Sequence, residues 1–332
     1  MKFISRTPLR VSLFGGGSDY KEYYSANGGV VLGGSIDKYI FTTCLELPKF
    51  VDNNYKLSYR KTEEVVSYKD FDHPVVKAVL SDMNWDRPIN LATMADLPGG
   101  TGLGSSSSFT VGLINLLNRI EGVELTPLEM VRLAYKIEHD VLGEDVGIQD
   151  HLHAAFGGFN MYHLSEKKIQ VEPIGLSSEL QLQLNNELFL VYTGRSRHAS
   201  ILAKAQVDRM KSKQNHEQLK DMVNLAHLAR DVLSSEKPSD DIMAELALLL
   251  NESWKLKMSL AGDVSNEHVQ ELYQKGLQLG ARGGKLCGAG GSGFLLFLVP
   301  KEAQLEFTAN FGSDIIVKFK FVSQGTHVSS LI

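Results

Sequence analysis

The sequence predicts a two-domain α+β protein, and three observations carry that expectation. The chain has 332 residues, 43% of them hydrophobic, which is enough for a large core and more than one domain. Strand-like and helix-like segments alternate through the first half, whereas residues 199–276 read as nearly continuous helix before strands return. A glycine-rich turn, Pro98-Gly-Gly-Thr-Gly-Leu-Gly104, runs straight into an apolar helix, a local form suited to holding anions.

Taken in order, Pro8-Leu-Arg-Val-Ser-Leu-Phe14 is an apolar strand that meets three glycines. The turn Gly15-Gly-Gly-Ser-Asp-Tyr20 follows, where Ser18 or Asp19 has the chemistry to cap a short helix over 20–26. Residues 30–32, 39–47, 89–95 and 158–163 are rich in β-branched and aromatic side chains and read as strands. Helices are expected over 73–82, 105–121 and 126–142. The last of these has Thr126 as cap, Pro127 at the first position and Glu129 three residues after the cap. Looser sequence at Ser165-Glu-Lys-Lys168 and Ser177-Ser-Glu179 puts a domain boundary between 165 and 185, giving units of 1–175 and 176–332. Strands over 293–299 and 315–322 close the second unit, and no internal repeat is visible.

Composition excludes several classes of function. The formal net charge of −5 offers no basic surface for nucleic acid. Cys44 and Cys287 have neither a metal-ligand nor a redox spacing, so a reducing compartment is expected. The start Met1-Lys-Phe-Ile-Ser-Arg6 carries charge where a signal peptide needs an apolar core, and the longest apolar run, 294–299, is far too short to cross a membrane. The expectation is a soluble cytoplasmic protein acting on a small molecule, with a homodimer left open.

The chemistry concentrates in three glycine-rich segments. In the first to be read, bare backbone at Pro98, Gly99, Gly100, Thr101, Gly102, Leu103 and Gly104 permits close approach of a phosphate. The start of the next helix supplies N–H groups and the positive end of its dipole. Ser105, Ser106 and Ser107 then offer hydroxyls to the phosphate or to a metal ion bound to it, more than a helix cap needs. No Gly-Lys-Ser/Thr follows the glycines, so this is not a Walker loop, and the protein-kinase signatures are absent from the sequence. At Gly16, Gly17, Ser18 and Asp19 the backbone is open enough for a sugar ring, and Asp19 is able to accept from vicinal hydroxyls; a capped turn is the alternative. In the third segment, Gly283-Gly-Lys-Leu-Cys-Gly-Ala-Gly-Gly-Ser-Gly293, a Gly-x-Gly-x-x-Gly pattern occurs by spacing. A strand-like run follows it instead of a helix, which rules out a dinucleotide site.

Pro98 to Ser106 matches, without departure, the Pro-x-x-x-Gly-Leu-Gly-Ser-Ser loop of the GHMP small-molecule kinases, and the other two segments resemble their first and third motifs in family order. In the first motif Arg10, Gly15, Asp19 and Tyr20 match the galactokinase pattern, while Gly16 and Gly17 replace its Glu-His pair, which argues against galactose. The resemblance implies the two-domain GHMP kinase fold, with an N-terminal domain like domain 2 of ribosomal protein S5 and a helix-rich ferredoxin-like C-terminal domain. It also implies ATP and Mg²⁺. Glu138 precedes Asp150 by the family's spacing of metal-binding glutamate and catalytic aspartate. That correspondence makes Ser106 and Glu138 the expected Mg²⁺ ligands and Asp150 the base, with Arg10 either orienting Asp150 or stabilising transferred charge.

Pro8 to Tyr20, Gly34-Ser-Ile-Asp-Lys-Tyr39, Val191-Tyr-Thr-Gly194 and Gly283 to Gly290 together look like the D-glycero-D-manno-heptose 7-phosphate kinases within that superfamily. Such enzymes phosphorylate the anomeric hydroxyl on the way to GDP-heptose. The L-fucose kinases are the rival, and a non-catalytic sugar sensor is the alternative of another class. A 7-phosphate needs cationic partners. Lys38 and Arg197 are the first candidates, with Arg195, His198 and Lys285 behind them, and Gly290 and Gly291 are expected beside the substrate.

Overall fold

In the computed structural model, which describes residues 2–48, 50, 54–194, 199–260 and 266–330, the segments 30–32 and 39–47 are halves of one strand. Strand β1 (Lys2–Phe14) turns through its glycines into α1 (Lys21–Asn27) and returns as the long β2 (Gly29–Glu46). Gly33 and Gly34 stay in register against Ser12 and Val11, which joins the two expected strands. One irregularity of the ladder falls at Pro8, which has no N–H to contribute. The length of β2 makes it the branch point of the sheet, because its two ends take different antiparallel neighbours.

β3 (Tyr55–Ser58) and β4 (Thr62–Val65) form a hairpin, and α2 (Pro74–Asp82) leads to β5 (Ile89–Ala95), which pairs with residues 40–46 of β2. α3 (Ser105–Ile120) and α4 (Pro127–Tyr135) follow. α4 begins with the expected capping box between Thr126 and Glu129 but ends early: Lys136–Val141 winds as a π-helix. Ile137 and Glu138 are both buried in this turn. α5 (Gln149–Phe156) precedes the hairpin β6 (Phe159–Leu164) and β7 (Ile169–Pro173), with β6 on residues 29–34 of β2.

The chain continues through α6 (Ser178–Glu187), β8 (Leu188–Tyr192), α7 (Ala199–Lys211), α8 (His216–Leu233), α9 (Ser239–Leu260) and α10 (Glu267–Gln278). It ends with β9 (Gly283–Leu286), β10 (Phe294–Leu298), α11 (Gln304–Phe311), β11 (Ile316–Lys318) and β12 (His327–Ser330). Among the described residues β8 to β11 form a second antiparallel sheet in the order β11-β8-β10-β9, while β12 rejoins the first sheet beside β1. The strand expected over 315–322 is shorter than the pattern suggested; beyond Lys318, Phe321 makes a single bridge to Ile36.

The main core runs from β1, β2 and α3 into β8, β10 and α9, so the two sheets share one apolar interior. A second cluster around Trp254, Phe297 and Phe307 packs helices α9 to α11 on the outer face of the smaller sheet. Tyr20, Tyr23, Val207 and Leu260 join α1 to the helical half. Each such fully buried large side chain contributes about 1.5–3 kcal/mol relative to exposure.

One buried polar group makes stability depend on pH. His153 on α5 is fully buried, stands edge-on to Tyr162, and finds no partner for either ring nitrogen among the described residues. Burial, reinforced by the Arg10 charge, pushes it down to about 3 from 6.5. The unfolded chain therefore takes up a proton that the native state refuses, and stability falls as pH drops below the unfolded value, by up to ~1.4 kcal/mol per pH unit. Chemical denaturation between pH 7 and pH 4 should show this slope, and His153→Leu should flatten it.

Candidate active site

The phosphate loop is built from its own backbone. Thr101 Oγ1 donates to Pro98 O at 2.8 Å, and Leu103 is buried in the core while its carbonyl accepts from Arg10 N at 3.1 Å. Pro98, Gly99, Thr101 and Leu103 thus shape the loop, and Gly100, Gly102, Gly104 and the serines line the cleft. Gly104 is left-handed (φ 76°) at the cap of α3, and no side chain caps the helix, so its first N–H groups face the open space. Gly102 packs backbone to backbone on the third glycine segment: a Cβ placed there would lie 2.6 Å from Cys287 O.

Arg10, near the end of β1, ties this loop to α5. Its Nη1 donates to Gly102 O at 2.7 Å, and both Nε and Nη2 reach Asp150 Oδ1 at 2.7 Å. Asp150 stands in the first turn of α5, part-exposed to the cleft, and its Oδ2 is within 3.2 Å of where a side chain at Gly104 would begin. The first motif, the phosphate loop and α5, far apart in sequence, meet at this one pair.

Asp19 is fully buried in the cleft wall beside the start of α5. Gly17 N donates to its Oδ1 at 2.8 Å and Gln149 N to its Oδ2 at 3.3 Å. The carboxylate lies so close to Gly147 that a Cβ there would be 1.9 Å from Oδ2, so only glycine fits. Burial, then the charge of Asp150, raises its pKa despite these bonds. Ser18 is also buried but points away: its Oγ donates to Gly15 O at 2.8 Å and accepts from Val30 N at 3.0 Å, fixing the turn.

Behind the serines lies a closed polar network. Glu138, fully buried, accepts from Ser107 Oγ at 2.8 Å, from His151 Nε2 at 2.8 Å and from Thr110 Oγ1. Burial alone would raise Glu138 and lower His151, but their mutual attraction reverses both, leaving a carboxylate–imidazolium pair. Ser107 lines the cleft and Glu138 stands one hydrogen bond behind it; Ser106 is exposed into the cleft.

The cleft so formed has a volume of about 910 Å³. The structure brings Arg10, Gly16, Gly17, Asp19, Gly100, Gly102, Gly104, Ser105, Ser106, Ser107 and Asp150 to it. Other expected residues lie elsewhere. Lys38 is on β2, 3.4 Å from Asp37 and outside the cleft lining. Gly290 and Gly291 do not line it either; Gly291 O accepts from Asn266 Nδ2. Arg195, Arg197 and His198 lie outside the described residues. Glu144, Asp145, Gln149, Lys204, Gln206, Met222 and Lys257 do line the cleft and were not read from the sequence. They come from helices and a connecting loop without a motif, so only the fold reveals their convergence.

Comparisons with known proteins show the family. Residues 71–158 match the GHMP kinases N terminal domain, and residues 239–312 match the GHMP kinases C terminal domain. The D-glycero-alpha-D-manno-heptose 7-phosphate kinase of Campylobacter jejuni is 30% identical, with 98% of both chains covered. The chain belongs to the GHMP kinases. As a GHMP kinase it is an ATP-dependent phosphotransferase with the mixed α/β architecture of that family. A solved D-glycero-D-manno-heptose 1-phosphate kinase from Bacteroides thetaiotaomicron has the same fold, with a TM-score of 0.79 at 23% identity over 99% of each chain. The bifunctional fucokinase/GDP-fucose pyrophosphorylase of Arabidopsis thaliana is 29% identical over 64% of this GHMP kinase and 20% of its own length. Among the described residues no helix of the kinase is long and apolar enough to cross a membrane.

Proposed function

We propose that this kinase transfers phosphate from ATP to the anomeric hydroxyl of D-glycero-D-manno-heptose 7-phosphate, forming the 1,7-bisphosphate in the cytoplasm for GDP-heptose and surface polysaccharide synthesis. The observation that carries the chemistry is Arg10 holding Asp150 by two nitrogens at 2.7 Å beside the uncapped start of α3. The full-length similarity to a heptose 7-phosphate kinase supports the acceptor. The proposed units 1–175 and 176–332 both contribute, the first with Arg10, Asp19, the phosphate loop and Asp150, the second with Lys204, Gln206 and the third glycine segment.

Phosphoryl transfer asks a protein chiefly for alignment and charge neutralisation. The phosphate loop and the N–H groups of α3 hold the nucleotide phosphates. Arg10 occupies Asp150 Oδ1, leaving Oδ2 to take the proton of the attacking hydroxyl. Asp19, with Gly16 and Gly17 beside it, holds sugar hydroxyls by accepting from them. Of the expected Mg²⁺ ligands, Ser106 offers its hydroxyl to the cleft, whereas Glu138 is held by Ser107, Thr110 and the His151 cation one hydrogen bond behind it. Ser106 and, by way of Ser107, Glu138 would hold that ion, which would supply neutralisation of phosphate charge when bound. Arg197 is a proposed phosphate contact outside the described residues.

Catalytic efficiency with heptose 7-phosphate, heptose and L-fucose tests the reading. Charge-assisted hydrogen bonds to a phosphate contribute roughly 1.5–3 kcal/mol each, so the 7-phosphate should be preferred over heptose by at least about tenfold. Equal or better use of L-fucose assigns the chain to the fucose kinases instead.

A further inference from the structure

Lys257 is a buried ammonium in the cleft wall that the phosphotransfer chemistry leaves unused. It stands near the end of α9, and its hydrogen bonds among the described residues go only to carbonyl oxygens, Leu286 O at 2.8 Å and Gly288 O. An ammonium has three N–H groups, so one is left over, and the side chain lines the cleft. Lys285 beside it is buried in the same manner, donating to Leu13 O at 2.7 Å and to Ser253 Oγ at 3.3 Å. Ser253 precedes Lys257 by one turn of α9. Among the described residues neither lysine makes an ion pair, with Asp19 the carboxylate that acts on Lys257 from across the cleft. Two neighbouring buried cations so placed are costly in a folded protein, because each loses its hydration. An anionic ligand entering the cleft removes that cost.

The surroundings say which ligand. Leu260, one turn further along α9, lies 3.6 Å from where a side chain at Gly17 would begin, and Asp19 acts on Lys257 electrostatically. Lys257 thus stands between the third glycine segment that holds it and the wall of Gly16, Gly17 and Asp19. Lys204 on α7 is exposed at the same cleft and adds a second cation. We infer that Lys257, with Lys204 at the rim, forms an anion subsite that holds the phosphate ester of the acceptor sugar. This assignment rests on the heptose phosphate reading above and gives its phosphate a place. Burial, then the charge of Lys285, pushes Lys257 down to about 7; Cys287, Arg10 and Asp19 are the other titratable or charged groups that face it. A bound phosphate restores its proton, and binding weakens as pH rises above that value.

Titration calorimetry with heptose 7-phosphate, heptose, inorganic phosphate and a non-hydrolysable ATP analogue decides the matter, on wild type, Lys257→Met, Lys257→Arg and Lys204→Met. In wild type the 7-phosphate should bind at least about tenfold more tightly than heptose. Lys257→Met should erase most of that preference and the binding of inorganic phosphate, with the affinity for the ATP analogue unchanged. Lys257→Arg should keep the preference and remove its decline between about pH 7 and 8.5, since arginine stays charged. Lys204→Met should weaken the preference less, and with Lys257→Arg it carries the test if Lys257→Met does not fold. A preference that survives Lys257→Met overturns the subsite, as does a loss confined to the ATP analogue, which would aim Lys257 at the nucleotide. If wild type shows no preference for the 7-phosphate but binds inorganic phosphate through Lys257, the heptose reading fails and the subsite stands for another phosphorylated acceptor. If neither is seen, both fail.

Discussion

Asp150→Asn should lower kcat by about 10²-fold or more while nucleotide affinity and thermal stability stay near those of wild type. The amide fills the same space and its oxygen still accepts from Arg10, so the bridge from β1 to α5 survives. What disappears is the capacity to take a proton from the acceptor hydroxyl at the atom that faces Gly104. Pre-steady-state measurement separates this from slow product release: the chemical step itself should be slowed. Turnover within a few-fold of wild type would remove Asp150 from the base role.

Arg10→Lys should be nearly as damaging, although charge is conserved. Arginine makes contact from three nitrogens here, two on Asp150 and one on Gly102 O, in a planar fork that a single ammonium does not reproduce. The substitution loosens the phosphate loop and Asp150 together, and a fall in kcat of about 10²-fold is the scale of one lost preorganised donor. A double-mutant cycle with Asp150→Asn separates the two roles open to Arg10. If it acts by orienting Asp150, the losses of Arg10→Lys and Asp150→Asn do not multiply; if it only stabilises transferred charge, they multiply.

Much of this site was legible because backbone chemistry leaves a strong trace in sequence. A loop that must admit phosphate and another backbone at once is restricted to glycine, and Gly102 facing Cys287 O shows why. The carboxylate of Asp19 stood inside such a loop and was readable for that reason, while Asp150 was readable only from its spacing after Glu138 in the family pattern. Lys257 was not, since a lysine on a helix is ordinarily a solvated charge; only the packing of α9 on β9 buries it. Ser107 likewise could not be told from Ser106 in a run of four serines. Helical phase decides which hydroxyl turns in toward Glu138, and the π-helical turn at Lys136–Val141 decides where Glu138 points. In the fold, helices announced by caps appeared close to their expected starts. β2 was misread as two strands because its middle is glycine, a residue that usually ends a strand but here lies in the ladder.

The pairing of β12 with β1 has a bearing on how the molecule is made. Phe3 lies opposite Ser330, so the edge of the larger sheet is finished by a strand translated after nearly all the rest of the described chain. Until then β1 offers its outer row of N–H and C=O groups to any extended segment nearby, the nascent chain of a neighbouring ribosome included. The same adjacency brings the ends of the described chain together, which makes a short peptide linker between them, with new ends opened in an exposed loop, a feasible re-ordering of the polypeptide. In such a permuted chain β12 and β1 would emerge as a local hairpin, and the late, long-range closure of the sheet would become an early, short-range one.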